Sequence, residues 1–140
     1  MTRETNDVNI TNVERAEVAN NANVDAFIRV HANGSDNSAV NGIETICQTK
    51  NNKYNSDIYK SCRKLSDCVL DGMVSMTGAK NRGVWETDTM TGINWCEVPV
   101  TIVEMGFMTN AEEDKKLSDV DYQKKIVMGI ANGIDNYFDN

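Results

Sequence analysis

The chain has 140 residues and a mass of 15.6 kDa, enough for one domain and not for several. Its 21 acidic side chains against 14 basic ones leave a net charge of −7 and a pI near 4.6. That balance excludes the basic surface on which sequence-independent nucleic-acid binding and docking to anionic lipid depend. No run approaches the roughly 18–20 apolar residues of a membrane span, and the polar start MTRETNDVNITNVERAEVANN shows no secretory signal.

Taken in chain order, the pattern alternates between helix and strand periods, which predicts an α/β fold with a mostly parallel sheet flanked by helices. Asn12 is a candidate N-cap with acidic Glu14 in the first turn, and Val13, Ala16 and Ala19 continue at helical spacing to about Asn21. Asp25 to His31 has strand character, and the turn-forming ANGSDNS follows it. Ile43 to Cys47 is a second strand. Residues 56–77 carry Ile58, Cys62, Leu65, Val69, Met73 and Met76 at steps of three and four, with Gly78 placed to end the helix. Residues 79–97 read as a long loop with a short strand at Gly83 to Glu86. Val98 to Val103 is a β-branched run suited to a strand buried on both faces, with the only proline, Pro99, near its start. A last amphipathic helix spans about Ser118 to Phe138. No repeat or linker divides the chain, so residues 1–140 form one domain. No strand precedes the first helix, so either the protein is not built from complete βαβ units or the chain begins in the middle of one.

The four cysteines, Cys47, Cys62, Cys68 and Cys96, lack a C-x-x-C spacing and are too few for a disulfide scaffold. On one helix, Cys62 and Cys68 are separated by about 9 Å of rise and roughly 240° of rotation, so they do not bond to each other. Cys62 lies on the apolar stripe and reads as a small buried hydrophobe.

Two positions carry potential chemistry. His31, the only histidine, ends one apolar strand, and Glu104 ends another. If the two strands run parallel in one sheet, both residues lie at the edge where α/β proteins bind ligands. A carboxylate after an apolar run needs a partner or a task, and a neutral imidazole beside a carboxylate suits a metal-activated water. A plain solvated strand end is the competing reading at both positions.

Three blocks in order, RAEVANNANVDAFIRVHANGSDNSAVNGIET, NRGVWET and VPVTIVEMGFMTNAEEDKKL, resemble the zinc-dependent N-acetylmuramoyl-L-alanine amidases along essentially the whole chain. The opening MTRETNDV is similar to the end of that family's second strand and the loop after it. The resemblance implies that His31 is a Zn2+ ligand and Glu104 the catalytic acid/base. It places Glu44 and Arg82 in supporting positions near the cleft. It implies peptidoglycan as the partner, cleavage of the amide between N-acetylmuramic acid and L-alanine, and a cell-wall or extracellular location. The family's other zinc ligands, a histidine and a glutamate, belong to a strand and helix that would precede Met1. The expectation is therefore an N-terminally incomplete domain from a truncated reading frame, with one of three ligands, an uncovered strand edge and impaired activity. A non-catalytic remnant that binds peptidoglycan or a completing partner is the alternative. Nucleotide binding is disfavoured by the absence of a glycine-rich phosphate loop, and no aromatic platform for glycan is visible.

Overall fold

A computed structural model describes every residue except Arg3, Asn6 and Asn140. Part of the MTRETNDV stretch thus lies outside the described residues, and the described remainder of 1–10 is irregular. Helix α1 (Asn12–Asn21) starts one residue earlier than expected from its cap. Thr11, not Asn12, is the N-cap, and its side chain and Glu14 close a reciprocal capping box. Strand β1 (Phe27–Asn33) follows, then β2 (Ile43–Cys47) at the expected bounds. A single 3-10 turn at Ser56–Ile58 leads into α2 (Tyr59–Thr77), which Gly78 ends in the left-handed region at φ 67°.

The expected loop over 79–97 holds more structure than its composition suggested. Strand β3 runs Asn81–Glu86, and a four-residue helix, α3, occupies Thr91–Asn94. Strand β4 is Val100–Phe107, so it begins just after Pro99 and continues past Glu104. The closing helix expected over about Ser118 to Phe138 is α5 (Val120–Asp139), and a further helix that the periodicity does not show, α4 (Ala111–Ser118), precedes it. Asn110 caps α4 by accepting the Glu112 and Glu113 N–H groups, and polar Asp119 separates the two helices.

The sheet has the order β1-β4-β2-β3. β1 pairs parallel with β4 and β2 parallel with β3, while β4 and β2 run antiparallel. Alternation along β4 sends Val103 into one cluster with Ile43, Leu65, Val69, Leu70, Met73 and Ile126, beneath α2 and α5. Val100 and Ile102 join Ala16, Ile46, Cys47, Cys62, Ile93 and Cys96 in the other. Cys62 is fully buried, as its place on the stripe implied, and all four cysteines are free thiols. Helices α2 and α5 approach backbone to backbone at Gly72, Gly129 and Gly133. A Cβ on Gly133 would stand 2.5 Å from the Val69 Cα.

β1 is an outer strand. Beside it, between α1 and the strand edge, lies a trough of about 620 Å3 lined by Val18, Ala22, Val24, Phe27, Val30 and His31. Val30 is 51% exposed. The uncovered, apolar strand edge expected from the sequence is therefore present.

Candidate functional site

The strand register brings the sequence-picked residues together. His31 on β1 is the register partner of Glu104 on β4, and Glu104 in turn faces Glu44 on β2. An imidazole and two carboxylates thus form one row across three strands, on one face of the sheet, since register partners share a face. The parallel pairing of β1 and β4 puts His31 and Glu104 at the same rim.

Glu104 is the unusual member. It is only 9% exposed, and its Oε2 is buried without a hydrogen-bond partner among the described residues. Burial and then the neighbouring Glu44 charge push its carboxyl up to about 7. Glu44 is held in place by others. Arg82 Nε donates to its Oε2 at 2.9 Å, and Asn33 Nδ2 donates to its Oε1 at 2.9 Å. The Arg82 guanidinium also lies 5.0 Å from the centre of the Phe107 ring. Solvent reaches His31, yet the surrounding protein, then the Arg29 and Arg15 charges, lower its pKa and favour the neutral ring. Arg29, two residues back on the same face, is buried and donates to Asn12 Oδ1 at 2.7 Å.

Two contributors escaped the sequence reading. Asn33 lies in the quoted block, but nothing local shows that it reaches Glu44. Glu113 is one of several acids in the block NAEEDKKL, which shows no apolar periodicity. In the fold it is buried, and its two oxygens accept the Gly42 N–H at 2.9 Å and the Phe107 N–H at 2.8 Å. It therefore ties the entry of β2 to the exit of β4, where Gly42 and Gly106 both adopt positive φ. A Cβ on Gly106 would stand 3.3 Å from the Glu113 carboxylate, so glycine permits the approach.

This row can exchange a proton near neutral pH through Glu104, with a neutral imidazole beside it. A catalytic zinc takes three protein ligands. Among the described residues, no group of three His, Cys, Asp or Glu is placed to hold a metal ion. His31 is the single imidazole, and Glu44 is already engaged by Arg82 and Asn33. The residues present do not fit a complete zinc centre.

An α/β domain with an imidazole and a buried carboxyl paired at the rim of its sheet is the arrangement that comparison with known proteins places. The model of the N-acetylmuramoyl-L-alanine amidase family matches residues 1–136, and the chain belongs to that family. It is 34% identical over 130 residues to the uncharacterized protein YqiI of Bacillus subtilis, covering 93% of this chain and 59% of that one. It is 31% identical over 125 residues to the N-acetylmuramoyl-L-alanine amidase LytC of the same organism, covering 89% of this chain and 24% of LytC. The catalytic domain of the amidase CwlV from Bacillus (Paenibacillus) polymyxa superposes with a TM-score of 0.84 at 30% identity, over 99% of this chain and 70% of that domain. An amidase from Clostridium difficile 630 gives 0.87 at 27% identity, over 98% of this chain and 70% of that one. The chain thus spans less than two thirds of either curated relative.

Proposed function

We propose that the chain supplies the proton-transfer part of a peptidoglycan hydrolase that cleaves the amide between N-acetylmuramic acid and L-alanine, and so acts at the cell wall. The observation behind this reading is Glu104: a buried carboxyl with an unpartnered oxygen, poised near neutrality, in register with a neutral imidazole. Glu104 takes a proton from the attacking water and passes it to the departing L-alanine nitrogen, so amide plus water becomes carboxylic acid plus amine. Arg82 and Asn33 hold Glu44, whose charge keeps the Glu104 proton available at neutral pH. The family is generally zinc-dependent, and bound zinc supplies Lewis-acid chemistry. His31 is the one residue proposed here as a zinc ligand. Because the donor set in the described residues is incomplete, no step is assigned to zinc, and the 140-residue chain alone is expected to be impaired.

The test is a graft. Residues 1–136 replace the matching stretch of the CwlV catalytic domain, and new L-alanine amino termini are counted on purified peptidoglycan. The graft is expected to release them, and Glu104→Gln within it to lower release by about 10²–10⁴-fold. Undiminished release by the Glu104→Gln graft would remove Glu104 from the reaction. A folded graft that adheres to peptidoglycan and releases nothing would leave the binding-only reading, which the incomplete donor set favours.

A further inference from the structure

We propose that Tyr54 and Trp95 form a glycan-binding platform at the edge of the sheet away from Glu104. The two residues are 41 positions apart, and the sequence shows no aromatic cluster. In the fold their ring centres lie 5.8 Å apart, tilted by 46°. Both are about half exposed, at 49% and 50%. The Lys53 ammonium lies 4.7 Å from the centre of the Tyr54 ring.

The rings stand on an unusually fixed base. Asn52, itself buried, accepts the Tyr54 N–H at 2.7 Å and donates to Asp88 and Asn94. Asn20 accepts the Glu97 N–H and donates to the Trp95 carbonyl, each at 2.9 Å. Buried Asn55 donates to the carbonyls of Ile93 and Cys96, on either side. Among the described residues, no hydrogen bond engages the Tyr54 hydroxyl or the Trp95 indole N–H. An exposed aromatic pair on a rigid polar base loses little freedom on binding a ligand. The Trp95 ring and the face of Tyr54 away from Lys53 suit the apolar C–H face of a pyranose, and the indole N–H and the Tyr54 hydroxyl suit the sugar's oxygens.

The occupant follows from the proposed function, on which this inference rests: the substrate is a polymer whose backbone is sugar. Trp95 precedes the start of β4, and Glu104 lies four residues into the strand, at least about 13 Å further on. A glycan held at the platform is therefore a second contact, remote from the amide.

The test uses the 140-residue chain and a soluble tetramer of N-acetylglucosamine, which has sugar faces and no peptide. Isothermal titration calorimetry reports binding in the parent chain and in each variant. Saturable binding is expected, weakened at least tenfold by Trp95→Ala and by Tyr54→Ala, largely kept by Trp95→Phe, and unchanged by Glu104→Gln. Absence of saturable binding in the parent, or equal binding by Trp95→Ala, would overturn the platform. Those results leave amide cleavage by the graft untouched, and failure of cleavage leaves tetramer binding measurable, so the two readings fail separately.

Discussion

At the scale of single residues, Glu104 is held in a form that its ordinary chemistry disfavours. Raising its pKa from 4.5 to about 7 makes the folded state bind a proton that the unfolded state releases between those values. This contribution to stability is complete below pH 4.5 and is lost as pH rises through 7. At about 1.4 kcal/mol per pKa unit, the loss by pH 8 is on the order of 3 kcal/mol. Glu104→Gln is therefore expected to leave stability nearly unchanged at pH 4.5 and to raise it by about 2–3 kcal/mol at pH 8, measured by urea unfolding. Equal gains at both values would show that the carboxyl is not strained by its setting. Glu44→Gln is expected to reduce this pH dependence without abolishing it, because burial is the larger cause and the Glu44 charge the smaller. Neither effect was legible from the sequence. The run TIVEMGF marks Glu104 as out of place, but the degree of burial and the facing carboxylate come from β2.

Contacts between elements set how the strands meet at the rim. Glu113 replaces the next rung of the β2–β4 ladder, satisfying two backbone donors with one side chain. Its removal in Glu113→Ala orphans both, and an unpaired buried donor costs about 1–3 kcal/mol. A loss of about 2–5 kcal/mol in urea unfolding is the expected result, with reduced hydrogen-exchange protection at Gly42 and Phe107. The helix layer is less forgiving still. Gly133→Val places a side chain against the Val69 backbone, which cannot yield as a rotamer can. About 3 kcal/mol of destabilisation is expected, and thermal unfolding matching the parent would show that α2 and α5 pack elsewhere. Helix periods predicted α2 almost to the residue because its stripe and its C-cap glycine are both local signals. Helix α4 was missed because AEEDKKLS is short and mostly charged, with Leu117 its one large apolar residue, so no apolar stripe marks it.

For the molecule as a whole, the consequence is an open side. β1 ends the sheet, and the trough along it leaves Val18 and Val30 in contact with solvent. Exposed strand edges with apolar side chains self-associate. Val30→Lys is expected to lower concentration-dependent association of the 140-residue chain in sedimentation measurements, and no change would acquit the edge. The same chain is expected to retain well under one equivalent of zinc after dialysis, since one imidazole is too few for a firm site. Zinc near one equivalent together with amide release would refute the incomplete-site reading.

By itself, the sequence determined the helix and strand periods, the buried stripe of α2, the strand runs that end near His31 and Glu104, and the motif blocks that mark the family. These are properties of neighbours in the chain, and they survive without knowing what packs on what. Only the tertiary structure decided that His31, Glu104 and Glu44 share a row, that Glu113 closes the sheet beside them, and that Tyr54 stands against Trp95. Each of these joins residues from separate segments. Strand order and register, set by packing across the whole domain, choose such partners, and local patterning carries no record of the choice.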